Sequence, residues 1–225
     1  MNPLGDFSRY ATIIREEDLP ALKERLSKIP DFSWLLSEPH AEIERLQGDL
    51  VADLPAVFIA DDGTARACSF TTMVMNNTCD LPEGRADFIT TAPVVDFQKY
   101  VEFEKTKRDE SSLKNYVEAI RRNEKTELFY LPPFAGFSNG ALALLHLACP
   151  VSASLYRQAL SKKQRKASFS QTGFYFLLIK LTNHIARPES SEVIRVMSDG
   201  KSETKSADWW RRIIDSRWIK AIRGS

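Results

Sequence analysis

Three extended apolar segments follow one another after Gly48, and turn sequences separate them. Residues 50–59, 68–75 and 86–95 are rich in β-branched and aromatic side chains, which favours strands. Asp61-Asp62-Gly63 is a typical hairpin turn after the first segment, and a Pro- and Gly-containing turn follows the second. Short strands joined in succession by turns predict a small antiparallel sheet or barrel.

The remaining periodicity is mostly helical. Helical patterns are predicted for 16–28, 152–161 and the almost wholly apolar 173–184, and two helical pieces are predicted within the charged stretch 97–123. Residues 127–131 are typical of a strand, whereas 141–147 fit either a strand or a buried helix. The pattern predicts an α+β fold: a small, bent antiparallel barrel with a helical insertion and flanking helices.

The second strand ends in an unusual polar string, Asn76-Asn77-Thr78-Cys79-Asp80. Asn76, Asn77, Thr78 and Asp80 are candidates for a ligand-binding edge, because side chains with donors and acceptors are presented together there. The alternative is that Asn and Asp side chains cap the backbone of a tight turn, which is a common role for them. The sequence leaves both interpretations open.

A basic run lies between a predicted helix and the last apolar segment. It places four cations within five residues, namely Lys162, Lys163, Arg165 and Lys166. Such a run can grip a nucleic-acid backbone. It can equally be a solvated helix terminus, where cations interact favourably with the helix dipole.

Composition limits the classes of function. The chain has 31 Lys and Arg against 30 Asp and Glu, so no whole-molecule field favours nucleic acid, although a local patch is compatible with these totals. Three cysteines without a C-x-x-C spacing indicate neither a disulfide framework nor a zinc site, and they favour a reducing compartment. No signal peptide, membrane span, metal motif or nucleotide motif is recognised, so we predict a cytoplasmic protein without a cofactor.

The end of the chain forms a separate amphipathic pattern after a polar stretch. Residues 208–223 carry five cations and two acids. One helical face collects the apolar residues Trp210, Ile213, Ile214, Trp218, Ala221 and Ile222. Trp209, Trp210 and Trp218 are candidate interface residues, because aromatic side chains beside arginines are typical anchors. This helix can complete its own domain, bind a protein partner or a second copy, or lie on a membrane; the last is the least favoured.

The strand end and its surroundings resemble a known group. The strings Gly48-Asp49-Leu50-Val51 and Asn77-Thr78-Cys79-Asp80 resemble bacterial proteins with an "SxTCD" strand end, which are distantly similar to the MazF/PemK/Kid family. The pieces 129–133 and 165–170 fit the same group. The resemblance implies an SH3-like barrel and metal-independent cleavage of RNA. By strand order it places Arg66, together with Thr90 or preferably Thr91, beside the scissile phosphate.

The sequence therefore supports several hypotheses of function. Ala67 follows Arg66 where the family has proline, which favours a diverged protein that binds RNA, DNA or a protein partner within a bacterial or phage-related toxin or defence system. The alternatives are an active metal-independent endoribonuclease and a structural accessory subunit. The predicted organisation is a helical arm at 1–46, the barrel at 47–188, a linker at 189–205 and a terminal helix at 206–225.

Overall fold

The computed structural model of the chain describes residues 14–39, 45–60 and 62–186. The predicted linker at 189–205 and terminal helix, with Trp209, Trp210 and Trp218, lie outside these residues. Five helices and eight strands occur in the described part. The helices are α1 (Leu19–Ser27), α2 (Phe97–Lys105), α3 (Glu110–Arg121), α4 (Ala153–Ser161) and α5 (Gln171–Ala186). The strands are β1 (Leu36–Ser37), β2 (Leu50–Ile59), β3 (Ala65–Val74), β4 (Phe88–Asp96), β5 (Leu128–Leu131), β6 (Ala141–Leu144), β7 (Cys149–Ser152) and β8 (Arg165–Phe169).

All strand pairs in the sheet are antiparallel, and their order is β1-β8-β2-β3-β4-β6-β5, with β7 paired to β4 beside this path. The α+β class is confirmed, and so is the helical insertion, since α2 and α3 lie between β4 and β5. The expectation of a barrel is wrong. The described strands form an open path ending at β1 and β5, because β8 is inserted beside β2 at Leu50 and Val51.

Helices cover the sheet on both faces. Successive residues of one strand point to opposite faces, and Leu50 and Val51 of β2 accordingly enter two different apolar clusters. The first cluster contains α1 and α5, and there the ring of Phe129 lies 5.7 Å from that of Phe169. On the other face, α4 packs near β2, and α2 and α3 pack near β5 and β6. Cover on both faces at this end of the sheet explains why β5 and β6 are continuous apolar runs.

Short polar side chains begin the helices where the strands end. Asp96 accepts a hydrogen bond from the backbone N–H of Lys99 at 2.9 Å and so caps α2, and Asp109 caps α3 in the same way through Ser112 at 2.9 Å. Ser152, the last residue of β7, caps α4 by accepting from Leu155 at 3.3 Å. These caps satisfy N–H groups that a helix start leaves unpaired. They let α2 and α4 begin directly where β4 and β7 end, while Asp109 starts α3 after the turn that follows α2.

One buried lysine ties α5 to the segment that follows α3. Lys180 is 5% exposed, and its ammonium group donates to the carbonyl oxygens of Asn123 (2.7 Å) and Lys125. Burial lowers the pKa of Lys180 to about 7, against the favourable charge of Glu127. The group therefore loses its charge near neutral pH while retaining hydrogens for both carbonyls.

Candidate functional site

A cationic cavity of about 620 Å³ lies between the end of α4, the start of β8 and the segment before β2. Its lining residues are Pro39, Arg45, Arg157, Leu160, Ser161, Lys163 and Arg165. Four of these seven side chains are cations, and none of the described lining residues is acidic. We call this feature the cationic cavity.

Local geometry explains why α4 contributes three of these residues. Arg157, Leu160 and Ser161 follow the i, i+3, i+4 spacing, which places them on one face of the helix. The chain then leaves α4 through Lys163, whose φ of 57° reverses its direction. Arg165 follows as the first residue of β8, opposite Val51 of β2. The turn and the strand pairing thus bring the basic run back beside Arg157.

A buried carboxylate holds Arg165 in position. Asp49 has no exposed surface, and its carboxylate accepts hydrogen bonds from the Ser168 hydroxyl at 2.6 Å and the Leu46 N–H at 3.0 Å. The Arg165 guanidinium lies 3.3 Å from the same carboxylate. Burial raises the pKa of Asp49, although Ser168, Leu46 and Arg165 all act in the opposite direction. The Asp49 network therefore orients Arg165 but carries a desolvation cost.

The glycine before Asp49 is required by close packing. Gly48 has a φ of 91°, and a Cβ there would lie 2.5 Å from Cδ2 of Phe169 and 2.8 Å from Cδ2 of Leu177. Both the backbone conformation and the space exclude a side chain. The Gly48-Asp49 string thus has a structural explanation: the glycine lets the chain pass under β8, and the aspartate then meets Arg165.

Two further polar groups lie close to this network. Arg45 donates from Nη1 to the carbonyl oxygen of Leu81 at 3.2 Å, which fixes one wall of the cationic cavity. The hydroxyl of Tyr156 is buried and has no hydrogen-bond partner in the described part of the chain. Burial, reinforced by the negative charge of Asp49, raises the pKa of Tyr156, so the hydroxyl stays protonated. The Tyr156 hydroxyl is therefore a buried donor without an acceptor in the described part of the chain, and the charged groups of Asp49, Arg45 and Arg165 lie near it.

The polar strand end forms a turn. Asn76 accepts from the Thr90 N–H at 2.5 Å, Asn77 accepts from the Cys79 N–H at 3.4 Å, and Thr78 accepts from the Gln47 N–H at 3.0 Å. Thr78–Asp80 is a short 3-10 turn that Asn77 caps. Asn77 thus caps the turn, as in the capping alternative, whereas Asn76 and Thr78 accept hydrogen bonds from backbone groups of neighbouring segments. Asp80 is exposed at the end of this turn, and for it the ligand-edge interpretation stays a prediction.

The residues predicted for catalysis are not brought together. Thr91 pairs with Val74 of β3, and Val74 lies eight residues beyond Arg66, about 26 Å of extended strand. Thr91 is also fully buried within the sheet. Its alternative, Thr90, is the neighbouring residue and lies equally far from Arg66. The Arg66–Thr91 pairing is therefore wrong as a joint site, because the β2–β3 hairpin carries Arg66 away from β4.

The basic run is divided by the fold. Lys163 and Arg165 line the cationic cavity, whereas Lys162 and Lys166 are not among its lining residues. Lys162 caps the end of α4, where a cation is favourable beside the last carbonyl groups. The helix-terminus interpretation therefore fits Lys162, whereas nucleic-acid binding by the run stays a prediction.

Sequence reasoning missed Arg45 and Arg157. Arg157 had a detectable signal, because it precedes Lys163 by six residues on a predicted helix and shares a face with Ser161. Arg45 had no detectable signal in the sequence, because its position at the cavity depends on the pairing of β2 with β8.

Other site classes gain no support from the described residues. No group of three or more His, Cys, Asp or Glu side chains that could hold a metal ion occurs in residues 14–39, 45–60 or 62–186. In the same ranges, no helix is long and apolar enough to cross a membrane.

Comparison of the chain with protein-family models, curated proteins and solved structures finds no match.

Proposed function

We propose that this protein binds nucleic acid through phosphate groups at the cationic cavity, as a diverged, non-cleaving relative of MazF/PemK proteins in a bacterial or phage-related toxin or defence system. The observation that carries the proposal is the set of four cations around one cavity, with no acid among the lining residues that the structure describes. A sphere of the cavity's volume is about 11 Å across, similar to the Debye length of about 8–10 Å, so an anionic phosphate bound there would lie within range of all four cations.

The chemistry of the lining favours contacts with phosphates over contacts with bases. Arginine donates to phosphate oxygens in pairs, and lysine adds a mobile positive charge. No aromatic ring and no side-chain amide occurs among the described lining residues, so base stacking and base-edge recognition lack the usual groups. We therefore expect binding with little sequence preference and a strong dependence on salt.

We do not propose that this protein cleaves RNA. The reaction expected from the family resemblance needs a cation and a hydroxyl-bearing residue at one phosphate. Arg66 and Thr91 lie far apart along the strands, and Thr91 is buried. Long single-stranded RNA incubated with the protein in EDTA should remain intact.

The experiment compares two double variants that remove the same charge. Arg157→Gln with Lys163→Gln changes the cationic cavity, whereas Lys162→Gln with Lys166→Gln changes the basic run outside it. Fluorescence anisotropy with labelled oligo-uridine and oligo-thymidine, from about 50 to 200 mM salt, measures affinity and its salt dependence. The cavity variant should lower the magnitude of the salt slope by about 1.4, the value for two lost phosphate contacts on a single strand.

The control variant should retain most of the affinity and of the slope. Equal losses in both variants would indicate that a linear basic run binds, and would contradict the proposed site. Absence of binding by the wild type at the lowest salt would reject the function itself. Thermal melting of each variant separates a loss of binding from a loss of fold.

A further inference from the structure

The β2–β3 hairpin has one face without any charge. From Leu54 to Phe70 the two strands pair only with each other among the described residues, since β3 meets β4 at Thr71–Val74 and β2 meets β8 at its beginning. Directly opposed residues point to the same side of the ribbon. The opposed pairs on this face are Pro55 with Ser69, Val57 with Ala67 and Ile59 with Ala65.

This face is exposed, unlike the opposite one. Val57 is 44% exposed and Ile59 is 56% exposed. The opposite face is anchored, because Leu54 and Ala56 are buried and the rings of Phe58 and Phe70 meet edge to face at 5.8 Å. Exposed strands usually carry charges that prevent association. Six uncharged positions on a two-stranded ribbon are instead typical of a surface that another element covers.

We propose that residues 208–223 of this same chain cover the uncharged face of the β2–β3 hairpin. The predicted helix presents Trp210, Ile213, Ile214, Trp218 and Ile222 on one side. From Trp210 to Ile222 this apolar stripe is about 18 Å long, and the face from Pro55 to Ile59 is about 14 Å long. The two apolar surfaces therefore match in length.

Charge complementarity supports the same occupant. Exposed aspartates stand at the two ends of the uncharged face, Asp53 near its base and Asp62 at the hairpin turn. Residues 208–223 carry a net charge of +3. A helix laid along the ribbon therefore places its cations near these carboxylates while its apolar stripe faces Val57 and Ile59.

The length of the intervening chain permits this contact. Described structure ends at Ala186, and 21 residues separate it from Asp208. A segment of this length spans up to about 70 Å when extended. The diameter of a compact chain of this size is shorter than that, so the tail can reach the hairpin of its own molecule.

A disulfide cross-link in the full chain tests the proposal. Cys68→Ser and Cys79→Ser remove the two accessible native thiols, and Ala67→Cys with Ile214→Cys then places one thiol on each proposed surface. Mild oxidation should give an intrachain disulfide in the monomer, seen as a mobility shift on non-reducing gels. Ser154→Cys with Ile214→Cys is the control, because Ser154 is exposed on α4, and it should give a much lower yield.

Hydrogen exchange provides the second measurement without new cysteines. Truncation after Ser206 should speed exchange of the amides in 56–59 and 65–69 by about tenfold or more, while the amides of β6 stay unchanged. An interchain disulfide would assign the face to a second copy and overturn the proposal. Equal cross-linking in both cysteine pairs, or unchanged exchange after truncation, would overturn it as well.

Discussion

Replacing Asp49 by alanine should destabilise the fold strongly, because three groups depend on its carboxylate. The buried Ser168 hydroxyl and the Leu46 N–H would lose their acceptor, and Arg165 would lose a counter-charge at 3.3 Å. A buried donor left without an acceptor costs about 1–3 kcal/mol, and breaking a buried ion pair costs about 3–5 kcal/mol. These contributions overlap, so we expect the free energy of unfolding to fall by about 3–5 kcal/mol.

Two matched variants separate charge from shape. Asp49→Asn keeps one carbonyl oxygen that can accept from Ser168, so the expected loss is only about 1–2 kcal/mol. Asp53→Asn is the control: Asp53 is exposed on the same strand, and its φ of 61° suits asparagine, so the change should stay within about 0.5 kcal/mol. Urea unfolding at pH 7 and 25 °C measures all three variants against the wild type.

The pH dependence gives the sharper test. Burial raises the pKa of Asp49 in the folded state, so the folded protein binds this proton more tightly than the unfolded chain does. The stability from this group is fully present below the unfolded pKa of about 3.9 and is lost as pH rises through the folded pKa. The wild type should therefore gain stability relative to Asp49→Asn as the pH is lowered from 7 towards 4.

The opposite trend would refute the reasoning. If the ion pair with Arg165 outweighed desolvation, the pKa of Asp49 would be lowered, and the wild type would lose stability relative to Asp49→Asn on acidification. Parallel curves would show that Asp49 does not titrate differently in the two states. Other titrating groups are shared by both proteins and cancel in the comparison.

Two further substitutions test the packing around the site. Lys180→Met should remove a dependence of stability on pH. The pKa of Lys180 lies at about 7 in the folded state, below its unfolded value, so the free energy of unfolding of the wild type should rise between pH 7 and pH 9 by at most about 1.4 kcal/mol per pH unit. Urea unfolding of the variant should lack this rise. Gly48→Ala should lower the free energy of unfolding by about 2 kcal/mol or more, because the new Cβ would lie 2.5 Å from Phe169. Gly63→Ala is the control: its φ is 77° but the space around it is open, so it should lower the free energy of unfolding by only about 1 kcal/mol. Equal losses in thermal or urea unfolding would contradict the packing argument.

The local sequence pattern was sufficient to predict most of the helices and strands. Leu50–Ile59 was predicted with the bounds that the structure shows, because a β-branched apolar run beside an Asp-Gly turn has few alternatives. The helical insertion was predicted from charge periodicity, and Asp96 and Asp109 cap its helices. Strand β1, only two residues long, and strand β7, which contains Pro150, gave no usable signal.

Strand pairing accounts for what could not be predicted. The sequence places Arg66 at the start of one strand and Thr91 in the middle of the next, and the resemblance implied a closed barrel that would bring them together. The register instead pairs Thr91 with Val74 and leaves Arg66 opposite Phe58 on the projecting hairpin. Register depends on contacts between distant residues, so a strand order assumed from a family resemblance does not determine it.

Strand pairing between distant residues also explains how a chain of net charge +1 forms a cationic site. The acids and bases balance along the sequence, but the pairing of β8 with β2 brings basic residues from three separate segments to one cavity: Arg45 from the segment before β2, Arg157 from α4, and Lys163 and Arg165 from the turn after α4 and the start of β8. Asp49, a carboxylate in contact with Arg165, is buried behind that residue rather than exposed in the lining. Because its hydrogen bonds are already used by Ser168 and Leu46, it orients Arg165 without occupying the space where an anion would bind. The position of this carboxylate, more than the number of cations, is therefore the feature on which the proposed phosphate binding depends, because it holds Arg165 towards the cavity and leaves the cavity itself open.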